Sequence, residues 1–118
     1  MGFVYYGNYA AYFEAARVEA LRNIGIVYRE LEEKGIMLPV LDLNIKYKKP
    51  AHYDDKLTIE VIVPKLPDVK IRFDYVVRNE LSNILVEGST HLVFVKKENG
   101  KPIKAPDWIL ELLSSKFE

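Results

Sequence analysis

Two hydrophobic periods divide the chain. Asn8 is a good N-cap and Gly25 a natural helix stop, and between them Tyr9, Tyr12, Phe13, Ala16, Ala20 and Ile24 recur at spacings of three and four. That spacing predicts an amphipathic helix with the stripe turned to a core. Glu14 with Arg17, and Glu19 with Arg22, are spaced for i,i+3 pairs away from the centre of that stripe. A shorter helical piece, residues 28–34, stops at Gly35. Beyond it the period falls from 3.6 to 2. Leu41, Leu43, Ile45 and Tyr47 alternate with polar residues until Pro50, and Leu57, Ile59, Val61 and Val63 do so until Pro64 and Pro67. Val69, Ile71, Phe73, Tyr75 and Val77 form a third strand with Lys70, Arg72, Asp74 and Arg78 on its opposite side. Residues 85–97 read as one long fourth strand, closed by the Asn99-Gly100 turn. Pro106 and Asp107 open a terminal helix carrying Trp108, Ile109, Leu112 and Leu113.

One long helix, a helical turn, four consecutive strands and a last helix predict an antiparallel sheet in an α+β fold. At 118 residues the chain forms a single domain, residues 1–118. One main helix covers only part of one sheet face. The other face carries apolar as well as charged residues, and the expectation is that it meets another subunit in a homo-oligomer, a dimer or tetramer.

Composition narrows the chemistry. Seventeen basic and seventeen acidic residues cancel, so no broad field favours nucleic acid or an anionic membrane. The absence of cysteine excludes disulfides, thiolate metal sites and cysteine nucleophiles, and it fits a reducing compartment. Apolar runs are short and interrupted by charge, which predicts no transmembrane segment, and the first residues do not follow a signal-peptide pattern. The expected location is cytoplasmic.

Candidate chemistry concentrates at the start. The segment MGFVYYGNYAAYFEAAR holds Tyr5, Tyr6, Tyr9 and Tyr12 around Gly7 and Asn8. Tyr9 and Tyr12 fall on the core stripe, whereas Tyr5 and Tyr6 precede the helix, where lining a pocket and packing are equally open to them. Glu14 lies off the stripe, where pairing with Arg17 competes with a chemical role. Asp54 and Asp55 stand in a turn after Pro50, where acids mostly cap backbone groups. His52 and His91 are the only histidines and lack metal-ligand spacing, so no metal site is expected. Ser82, Ser89, Ser114 and Ser115 lack a Gly-x-Ser-x-Gly elbow, and there is no glycine-rich phosphate loop.

The stretch GFVYYGNYAAYFEAARVEALRNIGI resembles the loop and central helix of the hotdog-fold acyl-CoA thioesterases. The branch is that of 4-hydroxybenzoyl-CoA thioesterase and the Tol-Pal-associated enzymes. YKKPAHYDDKLTIEV, IRFDYVVRN, LVEGSTHLVFV and the Asn-Gly-Lys-Pro-Ile turn are similar, in order, to its later strands and hairpin. The resemblance implies a curved antiparallel sheet around one central helix, dimers or tetramers, and active sites at the dimer interface near the helix N-terminus. There, free backbone N–H groups and the positive dipole end would stabilise negative charge developing on a thioester oxygen. By motif position the donor is the backbone N–H of Tyr6, with Gly7 and Asn8 shaping the loop. Asp55 matches a position at the site's periphery. Lys48, Lys49, Lys70 and Arg72 are candidates for the CoA phosphates, although alternation on a solvated strand explains Lys70 and Arg72 equally well.

In the family pattern Asp-x-x-Gly-x-Val-Tyr the catalytic aspartate stands three residues before the glycine, here Gly2, and a strand precedes the loop. Both positions fall before Met1, so the expectation is that translation was assigned to an internal methionine or the chain was shortened. Many relatives carry His where Tyr6 stands, which puts an acid–base role for that side chain in doubt. Glu14 is the substitute carboxylate to consider, by analogy with a hotdog branch that uses a helix-borne acid. The implied reaction is hydrolysis of an acyl-CoA to a carboxylic acid and CoA, needing neither metal nor redox cofactor. The alternative is a non-catalytic acyl-CoA-binding or scaffolding subunit. A hotdog dehydratase is weaker, because its helix-borne His and acid pair has no counterpart.

Overall fold

A computed structural model describes residues 8–52 and 55–115. Helix α1 (Asn8–Asn23) is followed by α2 (Tyr28–Glu33), strands β1 (Ile36–Met37), β2 (Val40–Tyr47), β3 (Thr58–Ile62), β4 (Lys70–Arg78), β5 (Ile84–Val93) and β6 (Val95–Lys96), and helix α3 (Asp107–Ser114). The four longer strands form an antiparallel sheet in the order β2-β5-β4-β3, so β2 and β3 are its edges. The α+β class and the antiparallel sheet are as expected.

The helix stops follow from local chemistry. Gly25 adopts φ +95°, where an L side chain is strained, and the chain closes there with Ile26 N–H donating to Leu21 O at 2.8 Å and Gly25 N–H to Arg22 O at 3.0 Å. This double bond pattern satisfies the last carbonyls of α1 and turns the chain sharply.

The fourth strand differs from the sequence expectation. The fourth strand breaks at Phe94 into β5 and β6, and β6 leaves the main sheet to pair with the short strand β1. Phe94 is fully buried, its N–H donates to Val69 O, and its carbonyl accepts from Ile103 N–H at 2.8 Å. An apolar run alone does not reveal such a change of partner. The β4–β5 hairpin is closed by Asn79, whose Oδ1 accepts the N–H groups of both Leu81 and Asn83 at 3.0 Å, beside Ser82 at φ 64°. Asn79→Ala should therefore lower stability by about 1 kcal/mol, read as a shift in denaturant midpoint at unchanged slope.

The inner face of the sheet is set by register. Phe73 and Leu43 both pair with Thr90, Tyr75 and Ile45 with Gly88, and Val77 and Tyr47 with Val86, so these side chains share one face. α1 lies on that face: Phe13 packs against Gly88 and Tyr75. The helix's buried row is Tyr9, Phe13, Arg17 and Leu21, spaced by four. Tyr12 is exposed and Ala16, Ala20 and Ile24 are half-buried, so the predicted stripe is rotated. Arg17, expected to pair with Glu14 on the surface, is instead 5% exposed and bonds to two tyrosines; the Glu19–Arg22 pair does form, at 3.1 Å.

α1 does not reach across the whole inner face. Leu43 and Tyr47 point to its side of β2 yet remain 42% and 46% exposed, with Val40 and Leu41 beside them. The opposite face is mostly charged and self-paired, through Lys48–Glu87, Arg72–Asp74, Arg78–Glu60 and His91–Asp42. Uncovered apolar surface thus lies on the helix side of the sheet along β2, while the far face carries Ile62 and Ile84, 38% exposed each, among its charged pairs, as expected from the sequence.

Candidate active site

The first turns of α1 sit in an aromatic cluster. Tyr9 is fully buried, with ring centroids 5.9 Å from Tyr12 (edge-on), 6.3 Å from Phe13 and 6.0 Å from Tyr47 at the end of β2. Phe13 stacks on Tyr75 at 4.3 Å and 9°. An aromatic wall against a helix N-terminus pairs apolar surface for an acyl group with backbone donors for its carbonyl. Tyr12 and Tyr47 supply the open part of that wall.

Below this cluster lies a polar network that the sequence did not disclose. Arg17 Nη1 donates to Tyr75 Oη at 3.0 Å and Nε to Tyr28 Oη at 3.1 Å, while the Phe73 ring lies 5.9 Å from the guanidinium. Tyr75 Oη also bonds Thr90 Oγ1 at 2.8 Å. Burial by itself would lower the Arg17 pKa, but the hydrogen bonds to Tyr75 and Tyr28 outweigh it and hold it above its ordinary value. Burial raises the Tyr28 phenol, and the bond from Arg17 only partly offsets this. The guanidinium stays cationic and Tyr28 stays neutral at any physiological pH.

Of the residues singled out from sequence, Tyr5, Tyr6 and Gly7 lie outside the described residues, as does Asp54 in the turn after Pro50. Asn8 begins α1. Glu14 is exposed on α1, within electrostatic reach of Tyr28. Asp55 closes its own turn: Oδ2 accepts His52 N–H at 2.7 Å, and Asp55 N–H donates to His52 O at 3.0 Å. Lys70 and Arg72 stand on the far face of the sheet from α1. There Arg72 Nε bonds Asp74 Oδ1 at 2.7 Å and lines an open pocket of about 430 Å³ with Asn44, Lys46 and Ser89. Lys48, on the same face, pairs with Glu87 at 3.2 Å. The fold therefore separates these basic residues from the helix N-terminus within one chain. Among the described residues no cluster of three or more His, Asp or Glu side chains is arranged to hold a metal ion.

The sequence profile of the thioesterase superfamily matches residues 1–84 of the chain. The chain belongs to this superfamily. An acyl-CoA thioesterase of Haemophilus influenzae, YbgC, is 32% identical over 107 residues, spanning 89% of this chain and 77% of that protein. The crystal structure of a DHNA-CoA thioesterase from Staphylococcus aureus is 36% identical, with a TM-score of 0.87 over 99% of this chain and 80% of that one. A 4-hydroxybenzoyl-CoA thioesterase mutant, solved with 4-hydroxybenzoyl-CoA, superposes with a TM-score of 0.82 over 94% of this chain and 86% of that one. At 24% identity that last likeness bears on the fold alone. The expected hotdog thioesterase fold and family are both met. Sequence reasoning missed Arg17, Tyr28, Tyr75, Thr90 and Gly88; the usable signal was an arginine standing four residues after Phe13 and four before Leu21 on an otherwise apolar row.

Proposed function

We propose that the protein hydrolyses acyl-CoA thioesters to a carboxylic acid and free CoA. The observation that carries this reading is superfamily membership combined with the aromatic wall of Tyr9, Tyr12 and Tyr47 at the first turns of α1. The thioester carbonyl points to the helix N-terminus, where the Tyr6 N–H polarises it, Gly7 and Asn8 shape the loop, and Tyr5 lies along the acyl group. As the carbonyl carbon becomes tetrahedral its oxygen gains charge, and a preorganised donor at the positive end of a helix stabilises that charge more than the ground state. A carboxylate acts as nucleophile or general base, and Glu14 is the candidate for it among the residues of this chain.

We place the acyl-CoA site at the junction of two copies. Among the described residues β2 is an edge strand, and its inner-face side chain Leu43 is 42% exposed on the strand whose Tyr47 lies 6.0 Å from Tyr9. Because Lys70 and Arg72 face away from α1, CoA phosphate contacts from them require a second chain. No described helix is long and apolar enough to cross a membrane, and the cysteine-free composition favours the cytoplasm.

The test is thiol release from short-chain, long-chain and aromatic acyl-CoAs, run on this chain and on one extended upstream by a strand and the loop. Hydrolysis by the extended form that is lost when its upstream aspartate becomes alanine supports the reading. Equal activity of both forms, abolished by Glu14→Gln, assigns the carboxylate role to Glu14. No turnover of any thioester by either form, with CoA still bound, overturns it in favour of a binding subunit.

A further inference from the structure

The buried row of α1 is unusual in what it contains. Tyr9, Phe13 and Leu21 are apolar contacts that permit small slides along a smooth sheet, since dispersion is non-directional. The remaining member, Arg17, is a cation with no carboxylate at ion-pair distance among the described residues, and such a group is costly to bury. Its bonds are directional. One nitrogen reaches Tyr75 on β4, another reaches Tyr28 on α2, and Tyr75 is itself held by Thr90 on β5. The same Tyr75 ring stacks on Phe13, whose edge fills the space that a side chain at position 88 would need. One of Arg17's two hydrogen bonds and the Phe13 stack therefore meet on Tyr75.

We propose that Arg17 is a positioning residue: through Tyr75 and Tyr28 it fixes the axial position of α1, and with it where the positive N-terminal end of the helix stands against the thioester. The inference rests on the thioesterase reading for its catalytic consequence, though not for its structural one. A planar guanidinium bridging two phenols tolerates little sliding, because both bonds lengthen together. An ångström of displacement at a polarising donor is enough to lose one or two orders of magnitude in rate. The cost of the buried charge thereby has a purpose that an apolar residue at position 17 would not serve.

The test separates positioning from stability. In the full chain, Arg17→Met combined with Tyr28→Phe keeps the volume, removes the buried charge and leaves the Tyr75–Thr90 bond intact; Tyr75→Phe alone keeps the stack and removes the hydroxyl. Expected is a melting temperature near that of the parent for the double variant and a lower one for Tyr75→Phe, which leaves Arg17 and Thr90 each short of a buried partner. For both, kcat is lowered at least roughly tenfold, KM stays within about twofold, and amide resonances are displaced at Ala10, Ala11 and Tyr12, about two turns from position 17. Unchanged kcat in stably folded variants overturns the inference, as does a rise in KM alone, which would mark Arg17 as a substrate contact. If the parent chain releases no thiol from any acyl-CoA, the thioesterase reading falls and the amide resonances decide this inference alone. Displacement in the first turn supports it, and changes confined to the neighbours of position 17 overturn it.

Discussion

Gly88→Ala should destabilise the protein by about 2–3 kcal/mol, although glycine inside a strand is ordinarily a weakness that alanine repairs. A Cβ there would stand 2.4 Å and 2.8 Å from two ring carbons of Phe13 and 3.2 Å from the carbonyl oxygen of Asn44. The first two distances are shorter than carbon atoms allow. Phe13 cannot swing aside, because it is 1% exposed and its other side is stacked on Tyr75. The helix must lift or the ring must leave its rotamer, and either loses dispersion contacts across the core. For a domain of this size the expected fall in melting temperature is about 10–20 °C, measurable by calorimetry. The compensating substitution is Phe13→Leu. Combined with Gly88→Ala, it should cost clearly less than the sum of the two single changes. Additive losses would mean that the strain lies in the Asn44 backbone and not in the ring.

That contact shows what the amino-acid order could and could not disclose. The strands were legible from period-2 alternation and their proline and glycine boundaries, because those signals are local. The glycine at position 88 was not, because its reason is a ring carried 75 residues earlier on α1. Arg17 is the sharper case. The predicted helical stripe runs through Ala16 and Ala20, whereas the row that the fold buries runs through Arg17 and Leu21. That row is buried because Tyr28 and Tyr75, 11 and 58 residues away, supply the oxygens that make an interior guanidinium tolerable. Long-range partners decided the rotation of the helix. The same holds for the break at Phe94, where pairing with β1 draws β6 off the main sheet. The segment around Tyr6 was legible as a family signature, whereas the positions of Lys70 and Arg72 relative to α1 depended on which sheet face the helix covers.

Leu43→Asp should convert an oligomer to a monomer while leaving the isolated fold almost as stable as before. The argument begins with burial. Leu43 pairs with Thr90 on the helix side of the sheet, where its neighbours inward are core residues, yet it is 42% exposed because α1 stops short of β2. Val40, Leu41 and Tyr47 are exposed to similar degrees along the same strand. Their burial by a second copy contributes about 1 kcal/mol or more apiece, and β2, an edge among the described strands, offers backbone groups that antiparallel pairing about a two-fold axis would satisfy. An aspartate at position 43 is harmless in water and costs several kcal/mol inside that junction. Light scattering after size exclusion should give the parent as a dimer or tetramer and the variant as a monomer, with melting temperatures differing by only a few degrees at micromolar concentration. Activity supplies the second readout. With Tyr47 6.0 Å from Tyr9, the junction adjoins the first turns of α1, and kcat/KM should fall at least roughly tenfold with dissociation. A monomeric parent would remove the junction from the site altogether. A variant that dissociates yet hydrolyses at the parental rate would place the whole acyl-CoA site within one chain, and the phosphates of CoA would then need basic partners other than Lys70 and Arg72.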